Sequence, residues 1–497
     1  MTDLIFDKEN ENILTPEQVG LSSSDITSVL DGFSANDLSM HSLLVMKDGR
    51  IIAEGYAKPY DKDSLHRMYS VSKSFVSIAI GVLEAEGKIS LEDTIDKYYP
   101  EYLTENTDPR VAKARIVDLL RMASPYKVVA SCRGGQKDWI VEFFNGKPTK
   151  TAGESYDYDT GATHILGTIV ERETGMSFFE YLKQKALLKV GFSENTWCVK
   201  APEGYAWGGS GILCTSRELA LFADLVMNMG EYKGEQLLPR DYCRAATSYQ
   251  ISTKEVEGDS DYYGRGYGYQ IWINPHGFAF MGMGNQHAYC IPQKGLVIVC
   301  TADNQGNKRA SGIIYELFEK HIINKIADRP LPEDNGAYAE MKSRLESMTI
   351  PHQRGALESA ILDSINGRTF EAACEEAKIS SFKLDFYGDE GALTYKTPRG
   401  EKKLLFGMGR NVACLLDEPT YSGETIGQPN NVGYKCLCSG AWTGETTFAL
   451  KVQVVDDYLG NMTLTFDLGD EPRLTGQKTA EWFLDEYKIK SESYIKR

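Results

Sequence analysis

The sequence lacks the usual patterns of metal- and cofactor-binding proteins. Its 497 residues include 7 histidines and 10 cysteines, and only Cys436 and Cys438 form a close cysteine pair. There is no HExxH motif and no paired CxxC spacing, which are the patterns that hold catalytic or structural zinc. There is also no Walker A sequence, and no GxGxxG follows a strand signal. We therefore expect neither a metal nor a cofactor.

Long apolar runs and a secretory leader are missing as well. No stretch reaches the roughly 18–20 apolar residues of a membrane span. The first twenty residues, MTDLIFDKENENILTPEQVG, are acidic and polar, whereas a signal peptide has a basic segment followed by an apolar one. We therefore expect a cytoplasmic protein with reduced thiols that does not bind membranes.

Positively charged residues are fewer than negatively charged ones. The chain has 54 Lys and Arg against 70 Asp and Glu, which gives a net charge of −16. An acidic surface disfavours binding to nucleic acids and anionic membranes, so we expect a small-molecule partner instead. Hydrophobic residues make up 42% and charged residues 25% of the chain, as is ordinary for a globular protein. The length predicts one large domain and a smaller one.

The distribution of strand and helix signals predicts where the domains lie. Residues 43–57 contain two apolar runs around Asp48-Gly49, which is typical of a hairpin. Further strand signals cluster in residues 265–303, and the segment between is mostly helical. We therefore predict an α+β domain over residues 1–326, with an antiparallel sheet flanked by helices. A proline- and acid-rich linker is expected at 327–340. Short alternating strands over 341–497 predict a small β-barrel or β-sandwich, for which a lipocalin-like barrel is one candidate.

The stretch MYSVSKSF, residues 68–75, contains a candidate nucleophile. Ser70 and Lys73 are three apart and share a face at the start of a helix that we expect to end near Gly87. A serine needs a base before it attacks, and burial favours the neutral, basic form of a lysine. The Ser70 N–H at the helix start also points at any oxyanion formed there. The motif alone is common, and a capping serine with a solvated lysine explains it equally well.

Several blocks in a fixed order make the pattern specific. They are HSLLVMKDGRIIAEGY, RMYSVSKSFVSIAIGVLEAEGKISLEDTIDKYYPE, VDLLRMAS, YDYDTGATHILGTIVERETG, WGGSGILCTSRELALFADLVMN and YGRGYGYQIWI. Over about residues 15–325 the chain resembles the serine β-lactamase-like superfamily. That superfamily includes penicillin-binding proteins, class C β-lactamases, esterases and nylon-oligomer hydrolases. The resemblance implies a β-lactamase/transpeptidase-like fold and hydrolysis of an ester or amide through an acyl-enzyme.

The resemblance also implies roles for individual residues. Ser70 is the nucleophile, Lys73 its basic partner, and Tyr158 the motif tyrosine that relays a proton to the leaving group. Tyr156 is the rival tyrosine, with a packed wall residue as the alternative. Tyr158 could act as a base only with a depressed pKa, which a cationic Lys73 would produce. Thr160 stands at the family's Asn/Ser position, where its hydroxyl could bind Lys73 or cap the helix.

The third family motif departs from the usual pattern. It normally holds Lys or His, any residue, then Gly, and we align it with Phe280-Met281-Gly282, which lacks the cation. Met283 would supply the second oxyanion N–H beside that of Ser70. Gln286 completes a Gly-x-Gly-x-Gln form that resembles the esterase and nylon-oligomer hydrolase branch. His287 is either a general base or a wall or solvent-facing residue. Trp207 and its neighbouring glycines are expected at the edge of the substrate pocket.

Three functions are compatible with these residues. The first is a serine hydrolase acting on an ester or amide. The second is a β-lactamase or D-Ala-D-Ala carboxypeptidase-like enzyme, which the missing cation disfavours because that cation helps to hold the substrate carboxylate. The third is a non-catalytic binding or sensor protein on the same fold. A homo-oligomer is compatible with all three.

Overall fold

The chain forms two compact units. The structure is a computed structural model that describes residues 14–128, 131–132, 135–258, 260, 262–418, 433–479, 484, 487–490 and 493–496. The units divide between Thr349 and Ile350, later than the linker expected at 327–340. The difference arises because residues 335–346 form a helix whose Met341 and Leu345 are buried in the core of the first unit.

The helices are distributed mainly over the first unit. They are α1 (Ser23–Ala35), α2 (Ser72–Ala85), α3 (Pro109–Ala112), α4 (Ile116–Leu120), α5 (Trp139–Asn145), α6 (Thr160–Thr174), α7 (Phe178–Leu182), α8 (Leu188–Val190), α9 (Ser216–Met227), α10 (Arg240–Ala246), α11 (Lys254–Glu257), α12 (Ala310–Phe318), α13 (Asn335–Glu346) and α14 (Leu362–Ile365). Of the helices in the described ranges, none combines the length and apolar composition that crossing a bilayer requires.

The strands belong to two large sheets and two small ones. They are β1 (Met40–Lys47), β2 (Arg50–Tyr56), β3 (His66–Arg67), β4 (Trp197–Cys198), β5 (Ile212–Cys214), β6 (Glu231–Tyr232), β7 (Glu235–Gln236), β8 (Trp272–Asn274), β9 (Gly277–Gly282), β10 (Gln286–Ile291), β11 (Leu296–Ala302), β12 (Thr369–Cys374), β13 (Ile379–Phe386), β14 (Glu390–Thr397), β15 (Gly400–Met408), β16 (Val412–Leu416), β17 (Tyr434–Trp442), β18 (Thr447–Val455), β19 (Leu459–Asp467), β20 (Arg473–Lys478) and β21 (Ser493–Lys496).

The first unit is built on an antiparallel sheet with helices on both faces. Its strand order is β2-β1-β11-β10-β9-β8. Successive side chains of a strand point to opposite faces. Leu44 and Met46 of β1 therefore join one core with α2, α6 and α9, while Leu43 and Val45 join the other with α1 and α12. This arrangement confirms the predicted α+β fold with a helix-flanked antiparallel sheet.

Two local predictions near MYSVSKSF are confirmed. The hairpin pairs β1 with β2, and α2 ends just before Gly87, which has the left-handed φ of 70° expected after a helix C-terminus. Every residue of α2 from Ser72 to Leu83 is buried. The helix that follows Ser70 is thus a rigid core element rather than a surface one.

The second unit is a barrel-like sheet. Its strand order is β15-β14-β13-β12-β21-β20-β19-β18-β17-β16, and an additional parallel pairing joins β15 to β17. This confirms the predicted β-rich second domain, in which Trp442, Phe448 and Phe466 are buried. The sequence signals did not single out β17, because its Cys, Ser and Gly residues favour strands less than β-branched and aromatic ones.

Asp224 of α9 provides a pH-dependent test of the core that contains α2, α6 and α9. Burial raises the pKa of this carboxyl to about 6. Because the folded-state pKa lies above the ordinary value of 3.8, the group lowers the stability of the fold as the pH rises from about 4 to 6, and the full penalty is present above 6. We expect Asp224→Asn to stabilise the protein at pH 7.5 by about 2–3 kcal/mol, and the gain should disappear by pH 4. Thermal unfolding at both pH values measures it, with exposed Asp63→Asn as control. An equal shift at both pH values would contradict the account.

Candidate active site

Ser70 lies on a tight turn at the entrance to a buried helix. The 3₁₀ turn Tyr69–Val71 directly precedes α2. Tyr69 has a φ of 48°, a left-handed conformation that non-glycine residues rarely adopt. Its ring is buried beneath the Arg67 guanidinium, whose carbon lies 4.6 Å from the ring centroid. The surrounding core thus holds a strained backbone, as is common next to functional groups.

Lys73 is oriented by two hydrogen bonds. Its Nζ donates to Ser70 Oγ at 2.9 Å and to the Gly209 carbonyl at 2.6 Å. The first contact follows from the helical i, i+3 relation, and the second comes from a loop 136 residues away. The side chain is only 1% exposed. The carbonyl therefore fixes the amine against the serine hydroxyl.

The loop that carries the Gly209 carbonyl is itself held on both sides. Arg67 Nε donates to the Ser210 carbonyl at 3.0 Å, and the Ile212 N–H donates to Ser72 Oγ at 3.0 Å. A Cβ on Gly209 would lie 2.4 Å from Thr160 Cγ2, so only glycine fits. The loop is thereby tied to the strand before Ser70 and to the helix after it.

Trp207 does not lie where the sequence placed it. Its ring is 1% exposed, packs edge-on against Trp139 at 5.2 Å and lies beneath the Arg67 guanidinium at 4.9 Å. It is absent from the described residues that line the pocket. The expected pocket residue is a core residue that supports Arg67 and the lysine-binding loop.

Tyr158 lines the same pocket as Ser70. Lys73 Nζ lies 5.0 Å from the centroid of the Tyr158 ring. The ring also stacks on Trp272 at 5.8 Å. Burial raises the pKa of Tyr158 above its ordinary value, and the neighbouring Ser70 hydroxyl opposes this only in part. The expectation of a depressed pKa is wrong, and the phenol is a proton donor in this state.

Of the two residues beside Tyr158, Tyr156 is the packed residue given as its alternative, whereas Thr160 does not have the capping role considered for it. Tyr156 is buried in the core of the first unit that contains α1 and α12, with its ring centroid 5.5 Å from that of Tyr267. Thr160 is the first residue of α6 and does not cap it. The cap is Asp159, whose carboxylate accepts from the Gly161 N–H at 2.8 Å and from Ser124 Oγ at 2.6 Å.

Asp159 was missed by the sequence analysis. Burial raises the pKa of its carboxyl, and the charge of Lys73 partly opposes that rise. The carboxyl is therefore within electrostatic reach of the lysine. An aspartate directly before an apolar helical stretch is a standard N-cap signal, and that signal could have identified its position, although not its relation to Lys73.

The end of β9 packs against the nucleophile turn. A Cβ on Gly282 would lie 2.3 Å from the Met68 carbonyl oxygen and 3.3 Å from Ser70 N. Gly282 and Met283 both line the pocket beside Ser70. The glycine of the third motif thus permits a close approach of two backbones, which brings the Met283 backbone next to the nucleophile.

Gln286 and His287 are structural residues and not pocket residues. Gln286 Nε2 donates to the carbonyls of Met283 and Ala302 at 2.8 and 2.7 Å, so it ties the β9–β10 turn to β11. His287 is fully buried, and its Nδ1 lies 2.9 Å from the Tyr289 hydroxyl. Burial lowers the pKa of His287 to about 3. It therefore stays neutral, away from Ser70.

The pocket above Ser70 is aromatic and carries one acidic group. It encloses about 280 Å³ and is lined by Ser70, Tyr158, Glu257, Tyr263, Trp272, Met281, Gly282, Met283, Gly284, Asn285 and Ser311. None of these described residues is Lys, Arg or His. Burial raises the pKa of Glu257. No sequence signal identified Glu257, because a lone glutamate on a polar segment is typical of a surface residue.

Comparisons of the sequence with known proteins give one family match and several curated relatives. The family model described as Beta-lactamase matches residues 34–319. The 6-aminohexanoate-dimer hydrolase of Paenarthrobacter ureafaciens is 24% identical over 216 residues, 40% of this chain and 55% of that protein. A Salmonella agona (strain SL483) protein assigned as a D-alanyl-D-alanine carboxypeptidase is 29% identical over 201 residues, 34% of this chain and 46% of that protein.

A solved structure shows the same fold. It is a Bacillus anthracis protein assigned as a 6-aminohexanoate-dimer hydrolase, with a TM-score of 0.51 and 23% identity over 60% of this chain and 82% of that one. The chain spans about half the length of the curated relatives it matches. These likenesses confirm the expected resemblance and the fold of the first unit.

The contact of Gly282 with the nucleophile turn can be tested by one methyl group. Gly282→Ala places a Cβ against the Met68 carbonyl, and we expect Ser70 to react with a fluorophosphonate at least 10-fold more slowly, because the turn must shift. Gly336→Ala, on the exposed start of α13, is the control and should react normally. A wild-type rate in a folded Gly282→Ala variant would show that the contact does not position Ser70.

Proposed function

The chain belongs to the beta-lactamase family, and on that premise we propose that it is a serine hydrolase that cleaves an ester or amide bond through an acyl-enzyme on Ser70. One observation carries the proposal. Ser70 Oγ accepts a hydrogen bond from Lys73 Nζ at 2.9 Å, and Tyr158 lines the same pocket with its ring centroid 5.0 Å from that amine. A serine between an amine and a phenol has a base to activate it and an acid to protonate a leaving group.

Acylation uses the two partners in turn. Lys73, in its neutral form, accepts the Ser70 proton while Oγ forms a bond to the substrate carbonyl carbon. The carbonyl oxygen takes the negative charge, and the N–H groups of Ser70 and Met283 hold it. The intermediate then collapses and breaks the bond to the leaving amine or alcohol. Tyr158 donates the proton that this group needs, and the Lys73 ammonium restores the phenol proton.

Deacylation repeats the sequence with water. Water attacks the acyl carbon, its proton passes to the Tyr158–Lys73 pair, and Ser70 Oγ leaves with a proton returned from that pair. The products are a carboxylic acid and a regenerated serine. Because the Gly209 carbonyl orients the lysine, the base stays in place through both halves of the reaction.

The charge of the pocket supports one substrate class over another. Glu257 borders the same cavity as Ser70, Tyr158 and Trp272. A carboxylate beside aromatic faces stabilises an ammonium group by ion pairing and cation–π contact, whereas it repels a carboxylate. We therefore propose that the substrate is an ester or linear amide with a cationic group near the scissile bond.

The same observation disfavours the alternatives with anionic substrates. β-Lactams and D-Ala-D-Ala peptides carry a carboxylate, and the position that the family fills with Lys or His is Phe280 here. A non-catalytic binding protein on this fold would retain Ser70 without turnover. The predictions of a cytoplasmic location and of a possible homo-oligomer stay predictions.

Covalent labelling tests the nucleophile. We expect a fluorophosphonate to add once to wild-type protein, with the adduct mapped to Ser70, and Ser70→Ala to remain unlabelled and to lose turnover of an ester and linear-amide panel. Intact mass and peptide mapping measure the adduct, and circular dichroism checks the fold. Full turnover in Ser70→Ala would refute the assignment. Labelling without turnover of any substrate would favour the binding-protein alternative.

Glu257→Gln tests the substrate charge. Among esters and amides of matched shape, we expect the wild type to prefer ammonium over neutral and carboxylate side groups. The variant should lose about 5- to 10-fold in kcat/KM for the ammonium substrate only, the size of a partly exposed charge-assisted contact. Because the pKa of Glu257 is raised, the preference should fade on acidification sooner than for an ordinary glutamate.

The matched control is Glu255→Gln, an exposed acid on the same short helix. It changes the net charge by the same amount and should leave the ammonium preference unchanged. An equal loss in both variants would mean that the effect is a long-range field, and no loss in Glu257→Gln would remove Glu257 from substrate recognition.

A further inference from the structure

Three cysteines converge inside the described part of the second unit. Cys414 lies on β16, and Cys436 and Cys438 lie on the neighbouring strand β17. Cys414 pairs directly with Cys436 across the two strands, and residues two apart on β17 share a face. The register therefore places all three sulfurs on one side of the sheet. The sequence spacing did not indicate this, since 22 residues separate Cys414 from Cys436.

The three sulfurs form a compact triangle. Cys414 Sγ lies 3.3 Å from the Sγ of both Cys436 and Cys438, which are 3.7 Å from each other. Among the described residues, this is the one group of three His, Cys, Asp or Glu side chains whose donor atoms all lie within 4.8 Å. Each sulfur is about 2 Å from the centre of the triangle. An ion with metal–sulfur bonds of about 2.3 Å fits just above its plane.

The separation of the sulfurs argues against a disulfide as the resting state. A disulfide bond is about 2.05 Å long, well below the shortest distance here, and all three residues are free cysteines. A disulfide would also use two sulfurs and leave the third without a role. A single ion uses all three.

The surroundings suit a soft cation. Cys436 and Cys438 are buried, whereas Cys414 is half-buried and gives access from solvent. All three ligand atoms are sulfurs, and soft thiolate ligands select Cu⁺ and Zn²⁺ over hard cations such as Mg²⁺.

We propose that Cys414, Cys436 and Cys438 form a three-sulfur binding site for a soft d¹⁰ cation, Cu⁺ or Zn²⁺, separate in sequence and chemistry from the Ser70 site. Cu⁺ would be bound in a three-coordinate arrangement, and Zn²⁺ would add a water molecule as fourth ligand. Each thiol that binds loses its proton to the buffer as its sulfur–metal bond forms. The affinity therefore increases with pH. The proposal departs from the sequence-based expectation of no metal.

Metal titration of the full chain tests the proposal. Reduced, metal-free protein is titrated anaerobically with Zn²⁺ and, separately, with Cu⁺, each against a chromophoric chelator of known affinity. We expect one ion per chain with a submicromolar Kd for at least one of the two ions, and the arm that binds more tightly identifies the ion. Binding should weaken at lower pH as protons compete. No stoichiometric binding of either ion would overturn the proposal.

Cysteine variants locate the site. Cys438→Ser removes a buried ligand and Cys414→Ser a half-buried one, so the second variant keeps the test valid if the first fails to fold. Each is expected to weaken binding at least 100-fold. Cys374→Ser, a buried cysteine of the same unit outside the triangle, is the control and should bind normally. Unchanged binding in Cys414→Ser, or an equal loss in Cys374→Ser, would contradict the site.

Discussion

The candidate site depends on the placement of one amine. Lys73 Nζ lies between Ser70 Oγ and the Gly209 carbonyl. The helix alone would bring the lysine near the serine, but a flexible side chain needs a second anchor to stay there. The carbonyl of a distant loop is that anchor, and Arg67 and Ser72 hold the loop in turn. The sheet, helix α2 and the loop that contains Gly209 together hold the amine in this position.

Electrostatic environment separates the roles of residues with similar chemistry. Tyr158 faces the serine with a raised pKa and so keeps its proton, which suits a donor better than a base. His287, the residue most often associated with proton transfer, is buried with a pKa lowered to about 3 and lies away from the serine. Glu257 borders the pocket and no described lining residue is cationic, so the site differs in sign from one built for carboxylates.

The sequence predicted those features that depend on local spacing. The i, i+3 relation placed Ser70 beside Lys73, and the alignment of the third motif placed Gly282 and Met283 at the pocket that they line. The sequence did not predict features that depend on the direction in which a side chain points. Trp207, Gln286 and His287 each stand in or next to a family motif in the sequence, yet the side chain of each points into the core. The positions of Glu257 and of the three clustered cysteines depend on tertiary contacts, which leave no periodic pattern in the sequence.

The central claim is that the anchored amine of Lys73 activates Ser70. The most direct test is the rate of fluorophosphonate labelling of Ser70 in wild type and in Lys73→Met, both shown to be folded by circular dichroism. Loss of a general base typically slows a reaction by about 100- to 10,000-fold, and we expect labelling of Lys73→Met to slow by at least 100-fold at neutral pH. Labelling of the folded variant at the wild-type rate would contradict the account.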